Sequence, residues 1–460
     1  MHDLCGHTFS PEEVASIQKA LLSWYDANKR DLPWRRMATH ADVNVRAYAI
    51  WISEIMLQQT QVKSVIPYYE RWMKKWPTVL SLSKASLEEV NSLWSGLGYY
   101  SRARLVHEGA TKVVYEYDGT IPSNSEQLKS NIPGVGRYTA GAIASIAFNE
   151  RVPVLDGNVI RVLARLRRIG APVQLTSTNT LLWGLADHLV DADRPGDFNQ
   201  SVMELGATLC TPKQPSCSVC PLGTIGVCMA YTEATVDVKA THAKVSGSPL
   251  GTDIEECALC IPSDMYRSDL GVTNFPVKLS KRPQREEFTV VIVLQAMRCG
   301  SPHFLLFQRP KKGLLGGLWE FPGHTIAIST KPTDNSTEIQ EQAQLSVLNR
   351  IKSAVKCIHF DASDLQSIGQ VVHLFSHIRM TYDIYTLSCG FSEVLNIGRW
   401  VSANEFAESA VSTAARKVFA HFQSSQNSTC VPKPNTKAKK RKTDSPLDDA
   451  KQLRLTTFFH

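Results

Sequence analysis

The sequence predicts two folded units of different class, an all-α unit first and a mixed α/β unit second. Three observations predict it. At 460 residues the chain is too long for one core. Apolar residues recur at helical spacing through the first half, with few strand signals. Beyond about residue 287 the pattern turns to short apolar strands broken by glycine-rich turns. The expected division is residues 1–230 all-α, 231–286 a connector, 287–425 α/β, and 426–460 a disordered basic tail.

Composition narrows the classes. A 43% hydrophobic content without a long uncharged apolar run fits a soluble chain and excludes a membrane-spanning helix. The net charge of +7 permits nucleic acid as a partner without requiring it. Of eleven cysteines, four crowd between Cys210 and Cys228 and two more follow at Cys257 and Cys260. That clustering suits metal ligation in a reducing compartment better than a secreted disulfide framework. Met1–Ser10 has neither the apolar core of a signal peptide nor the Arg/Ser pattern of a transit peptide.

Taken in order, Pro11-Glu12-Glu13 starts a helix with Ser10 as its cap, and Val14, Ile17, Leu21 and Leu22 share one face. Arg30-Asp31-Leu32-Pro33-Trp34-Arg35-Arg36 sets an aromatic among cations, which suits base stacking or a packed surface loop. In Trp51–Gln61, Glu54 falls on an apolar stripe with Ile50 and Leu57, and Gln58, Gln59 and Gln61 follow. Burial without a cation raises a carboxyl's pKa and lets it act as an acid near neutrality. Gly-Leu-Gly-Tyr99-Tyr100-Ser-Arg102 is a loop with an aromatic tip, the composition of a wedge between stacked bases or of a packed turn. Gly134-Val135-Gly136 turns the backbone into a helix near Arg137, and amides at such a start form an anion site suited to a DNA phosphate. Asp156, followed by Gly157 and Asn158, opens another helix. Glu54 and Asp156 thus make a carboxyl pair of the kind that glycosidic cleavage needs, one acid and one carboxylate. Cys210, Cys217, Cys220 and Cys228 bind a metal, and their spacing alone does not separate zinc from an iron–sulfur cluster.

The segments Leu-Pro-Trp-Arg, Ser-Glu54-Ile-Met-Leu-Gln-Gln-Thr-Gln-Val, Gly-Leu-Gly-Tyr-Tyr, Ile-Pro-Gly-Val-Gly-Arg-Tyr-Thr-Ala-Gly-Ala-Ile, Leu-Asp156-Gly-Asn-Val and Met-Glu204-Leu-Gly-Ala precede the cysteine cluster in that order. Together they resemble the MutY-type adenine DNA glycosylases of the helix-hairpin-helix superfamily. The resemblance implies excision of adenine mispaired with 8-oxoguanine, and with guanine, from duplex DNA. It assigns proton donation to Glu54, sugar-cation stabilisation to Asp156, and orientation of these acids to Tyr138 and Asn158. Arg30, Leu32, Trp34 and Glu204 would line the adenine pocket, and Gln59 and Tyr99 would insert at the lesion. Related bifunctional enzymes carry a Schiff-base lysine where Tyr138 stands, which implies a monofunctional enzyme here. The resemblance also implies a [4Fe–4S] cluster, although seven residues separate Cys220 from Cys228 where the family's gap is usually shorter.

Cys257-Ala-Leu-Cys260 is half a zinc site, or two reduced unligated cysteines. Animal members of the family resemble it and are thought to bind zinc and the checkpoint clamp through this connector; His7 would be a third ligand. The second unit resembles the Nudix-like (MutT-like) domain of MutY proteins, in which a Phe-Ser-His loop reads 8-oxoguanine; Phe375, Ser376 and His377 match it. Glu338 and Glu341 do not make the Arg-Glu-x-x-Glu-Glu array that holds magnesium, which speaks against pyrophosphohydrolase activity. The run Lys437–Lys442 suits nuclear import or DNA contact, and a mitochondrial form from another start stays open. Gln452, Leu455, Phe458 and Phe459 resemble the sliding-clamp (PCNA) interaction motif. The expectation is a nuclear, monomeric base-excision enzyme. Its rivals are an endonuclease III-like lyase on oxidised pyrimidines and a non-catalytic clamp- or DNA-binding scaffold.

Overall fold

The computed structural model describes residues 6–235, 257–262, 264–277, 284–310, 313, 315–327, 336–355, 362–375, 377–393 and 395–428. The chain divides into two compact units, Met1–Arg282 and Pro283–His460.

Among its described residues the first unit is helical throughout. The helix Pro11–Asn28 starts from a capping box in which Ser10 Oγ accepts from Glu13 N and the Glu13 carboxylate accepts from Ser10 N. Val43–Leu57 is buried on all sides from Ala47 to Met56, as befits a central helix that others pack around. Its Trp51 lies against Gly109, where a Cβ would come within 2.8 Å of the indole. Arg137–Phe148, Gly157–Leu166 and Pro195–Thr208 complete the set that carries functional side chains. A core of Ile17, Leu21, Val159, Leu163, Phe198 and Val202 binds the first and the last two of these together.

Within the stretch expected as a connector, Cys257–Val277 packs onto this first unit. Val272 and Phe275 are buried with Ala230 in a small core that Ile261, Tyr266, Cys217 and Cys228 adjoin. Gly170 N and Ala171 N donate to Leu259 O at 2.8 and 3.2 Å. Polar composition concealed these four apolar anchors, which is why the segment reads as a linker in sequence.

The second unit is a seven-stranded mixed sheet in the order β3-β2-β1-β6-β5, with β4 also paired to β1 and β7 to β2. The strands are β1 Arg285–Arg298, β2 Ser301–Gln308, β3 Trp319–Glu320, β4 Gly323–Ala327, β5 Gln366–Leu374, β6 Ile378–Cys389 and β7 Arg399–Ser402. β1 and β6 run parallel and every other pair antiparallel. Alternation along β1 feeds two cores: Val290, Ile292 and Leu294 face the helix Ser336–Ala354, while Val291 and Val293 face the helix Thr413–Ser428. β5 stops at Leu374, where Phe375 N donates to Ile378 O at 2.8 Å and closes a hairpin. No helix among the described residues is long and apolar enough to cross a membrane.

Candidate active site

Three helices bring the predicted carboxyls to one place. Glu54 sits in the last turns of Val43–Leu57 and is only 5% exposed. Tyr138, in the first turn of Arg137–Phe148, donates its phenol to Glu54 Oε2 at 2.6 Å. Burial raises the Glu54 carboxyl to about 7; the Tyr138 hydrogen bond opposes this, the charge of nearby Asp156 adds to it, and Arg35 opposes it weakly. The same burial, with Glu54 and Asp156 close by, drives the Tyr138 phenol well above its ordinary value.

Asp156 is the N-cap of Gly157–Leu166. Its Oδ1 accepts from Asn158 N at 2.9 Å and Val159 N at 2.8 Å, and its Oδ2 accepts from Asn158 Nδ2 at 2.8 Å. Asp156 therefore caps this helix, and capping fixes the carboxylate's position. Burial raises its pKa, against the pull of these hydrogen bonds and of the Arg161 charge. Arg161 Nη2 donates to Asn158 Oδ1 at 2.7 Å and its Nε to Cys210 O at 2.7 Å.

Glu204 is 1% exposed and fully engaged. Arg30 forks onto it through Nε at 2.6 Å and Nη2 at 2.8 Å, and Arg35 Nη2 adds a third contact at 2.8 Å. Burial pushes the Glu204 carboxyl up, but the two guanidiniums overcome it and hold it at about 2. Leu32 and Trp34 are buried beside this lock, Trp34 with its ring edge-on to Tyr69 at 5.5 Å between centroids. Trp34 is thus a packed side chain, not an exposed stacking platform. The sequence shows Arg35 as one of the cations beside Trp34, but nothing in it pairs Arg35 with Glu204.

Gln59 and Tyr99 are both exposed and both hold left-handed backbone, φ 54° and 48°. One buried guanidinium spans them. Arg102 Nη1 donates to Ile55 O at 2.7 Å and Gln58 O at 2.6 Å, its Nη2 to Gly98 O at 3.1 Å, and its plane lies 5.3 Å from the Tyr99 ring centroid. Spacing gives no hint of this, since residues 55–58 and 97–99 meet only in the fold.

In the glycine turn, Gly134 has φ 78°, and a Cβ there would stand 2.7 Å from Leu105 Cβ, so glycine is required twice over. Contrary to the expectation of an outward amide, Val135 N donates to Ile132 O at 3.1 Å and its side chain is buried. Gly136 is the N-cap of the Tyr138 helix.

These helices coincide with known families. Residues 52–185 match the HhH-GPD superfamily base excision DNA repair proteins, and residues 292–421 match the NUDIX domain. Adenine DNA glycosylase from Homo sapiens is 47% identical over 468 residues, spanning 97% of this chain and 83% of that protein. The chain belongs to the adenine DNA glycosylase family. The Rattus norvegicus member is 48% identical over 439 residues (92% of this chain, 81% of that one), and the Arabidopsis thaliana member 41% over 401 residues (81% and 57%).

Side chains of a kind that can hold a metal gather beyond the acids. Cys210, Cys217, Cys220 and Cys228 line one cavity with Leu209, Val272 and Arg165, whose Nη1 is 3.2 Å from Cys210 Sγ. The seven-residue gap is taken up by the short helix Pro221–Thr224 and by Gly226 at φ 75°, and Cys228 still returns to the cavity. Four thiols around one apolar cavity with a cation beside them fit a cluster's donor set. A second group joins His7, Cys257 and Cys260, whose ligand atoms lie within 4.8 Å of one another. In the second unit, Phe375 stands edge-on to His373 at 4.6 Å, and His377 is exposed with its carbonyl accepting from Arg285 N at 3.1 Å. Ser376 and the tail residues Gln452, Leu455, Phe458 and Phe459 lie outside the described residues.

Proposed function

We propose that the chain excises adenine mispaired with 8-oxoguanine, and with guanine, from duplex DNA, by hydrolysis of the N-glycosidic bond without a lyase step. The observation that carries this reading is the buried Glu54, raised to about 7 and hydrogen-bonded by Tyr138 beside Asp156. The adenine leaves the stack, and Glu54 donates its proton to N7 as the bond to the sugar lengthens. The Asp156 carboxylate, held by Asn158 and Val159, stabilises the oxocarbenium-like sugar by charge or a transient bond. Water completes the hydrolysis and Glu54 is reprotonated. Tyr138 has no amine for a Schiff base, so the phosphodiester chain stays intact.

Around this chemistry, Arg30, Leu32, Trp34 and Glu204 wall the adenine pocket, with the Glu204 lock setting its shape. Gln59 and Tyr99 enter the duplex at the lesion. Gly134, Val135 and Gly136 turn the chain toward a phosphate, which the start of the Tyr138 helix receives. The hairpin at Phe375, Ser376 and His377 reads 8-oxoguanine. Cys210, Cys217, Cys220 and Cys228 would hold a [4Fe–4S] cluster, which would supply structural closure and help to position the DNA. His7, Cys257 and Cys260 hold zinc, and the connector around them is offered to the checkpoint clamp. The tail motif Gln452, Leu455, Phe458 and Phe459 binds PCNA, supported by its spacing and its paired aromatics, and the basic run directs the chain to the nucleus.

The test is single-turnover excision on duplexes carrying adenine opposite 8-oxoguanine, guanine or thymine. Breaks are expected only after alkali, with Glu54→Gln binding DNA but releasing no base. Strand cleavage without alkali, or borohydride trapping of a covalent complex, would defeat the proposal in favour of a lyase.

A further inference from the structure

We propose that Arg102 is a positioning residue that joins Gln59 and Tyr99 into one rigid wedge and fixes that wedge to the end of the Glu54 helix. This rests on the reading above that both tips enter the duplex, and deepens it by naming what holds them.

Arg102 lies in the first turn of the helix Ser101–Glu116 and is 8% exposed. Its Nη1 donates to Ile55 O at 2.7 Å, Met56 O at 3.1 Å and Gln58 O at 2.6 Å, while Nη2 donates to Gly98 O at 3.1 Å. Ile55 and Met56 directly follow Glu54, and their carbonyls are among the last four of Val43–Leu57, which a helix leaves without internal donors. Gln58 and Gly98 each stand one residue before a tip. The guanidinium therefore holds the backbone from which each tip projects, and the side chains of Gln59 and Tyr99 stay exposed for DNA. Trp94 supports the same place, with its Nε1 donating to Gly98 O at 2.9 Å and its ring centroid 5.3 Å from the guanidinium carbon.

Closing a helix end does not by itself call for a buried cation, because water, glycine or a neutral side chain serves. Among the described residues no carboxylate pairs with Arg102, and burial pushes its pKa down to about 10. Taking an unpaired cation out of water is costly, so its geometry must supply something that a neutral cap lacks. A guanidinium offers five donors in one plane, which fix acceptors from two separate segments at set angles to each other. Both tips also hold left-handed backbone, φ 54° at Gln59 and 48° at Tyr99, a conformation that side-chain-bearing residues keep only where their surroundings impose it. With both segments on one fork, neither tip can bend back while the other advances between stacked bases. Any displacement of the pair is also felt at the carbonyls beside Glu54, so the wedge and the acid keep a fixed spacing.

The experiment uses the full chain in a Glu54→Gln background, where the base stays attached and extrusion is read alone. The duplex carries adenine opposite 8-oxoguanine with 2-aminopurine beside the adenine, and stopped-flow fluorescence follows its unstacking. Gln59→Ala and Tyr99→Ala are each expected to slow extrusion ~10-fold or more, the scale of one lost stacking contact. The double variant is expected to stay within ~2-fold of the slower single one, because a wedge that has lost either tip has lost its function, whereas independent sites would multiply. Arg102→Lys keeps the charge and loses the fork; it should slow extrusion, and in it the two tip losses should multiply. Losses that multiply while Arg102 is in place overturn the proposal and leave insertion standing, and that arm needs only exposed substitutions that do not threaten folding. Tips that stay coupled in Arg102→Lys overturn it as well. Single tip variants that extrude at the parent rate overturn the insertion reading itself.

Discussion

Replacing Tyr138 by phenylalanine removes one hydroxyl and keeps the ring that buries Glu54. The lost contact is a 2.6 Å phenol-to-carboxylate hydrogen bond, which stabilises the ionised acid and pulls its pKa down against burial. A hydrogen bond to a charged group contributes about 1.5–3 kcal/mol, and a pKa unit corresponds to about 1.4 kcal/mol, so the Glu54 titration should rise by roughly 1–2 units. The sign is definite. Glu54 works as an acid only while protonated, so in wild type the excision rate falls as pH rises through about 7. At about pH 8 wild type keeps roughly a tenth of its plateau rate, whereas Tyr138→Phe should keep half or more of its own plateau, whatever that plateau's height. The assay is single-turnover adenine excision with saturating enzyme across neutral and alkaline pH, with Glu54→Gln as the control that abolishes the limb. An alkaline limb that stays in place, or shifts toward acid, refutes Glu54 as the titrating proton donor tuned by Tyr138.

Arg102→Met should remove the guanidinium's hydrogen bonds to Ile55 O, Gln58 O and Gly98 O, leaving Gln58 O its bond from Thr60 Oγ1 and Gly98 O its bond from Trp94 Nε1. A hydrogen bond to a charged group contributes about 1.5–3 kcal/mol, so thermal denaturation should show a loss of at least ~2 kcal/mol. Gly170→Ala would set a Cβ 2.4 Å from Ile261 N, so limited proteolysis should open the Cys257–Val277 segment while the helical core resists. Glu204 has a folded pKa of about 2, below the ordinary glutamate value of about 4.5, so its contribution is full above about 4.5 and is lost as pH falls toward 2. It amounts to about 3 kcal/mol, and Glu204→Gln should flatten that part of the stability–pH curve measured by denaturant unfolding. Cys228→Ser should yield protein depleted of iron and of its visible charge-transfer absorption, which an intact spectrum would contradict.

Helical periodicity made the elements of the first unit legible, because a helix writes its packing face into its own neighbours at three and four residues. Glu54 could be singled out for the same reason: an acid on an apolar stripe is a local conflict that only burial or function resolves. Residues that act across the fold were not legible. Arg102 binds carbonyls some 40 residues upstream, and Arg35 closes on Glu204 across more than 160 positions. A backbone acceptor carries no residue type, so no pattern could announce the first. The second needed knowledge of which helix faces Leu32 and Trp34. The connector misled for the opposite reason, since Ile261, Tyr266, Val272 and Phe275 are too sparse to give a period yet suffice to dock it.

The assignment of roles within the acid pair follows from what surrounds each carboxyl. Both are desolvated, and burial is the largest influence on each. Glu54 is offered one hydroxyl and feels a neighbouring negative charge, so the proton settles there at neutral pH. Asp156 is offered two backbone amides and an amide side chain, with the Arg161 charge behind them, all of which favour the ionised form. Backbone donors at a helix start do not reorganise when charge develops nearby, so they hold the carboxylate in one place, as the role proposed for it requires. Exchanging the two residue types would not exchange the roles. The proton's location belongs to the Tyr138 and Asn158 surroundings, and a Glu54→Asp chain should therefore remain an acid at position 54, slower because the shorter side chain withdraws the proton from its target.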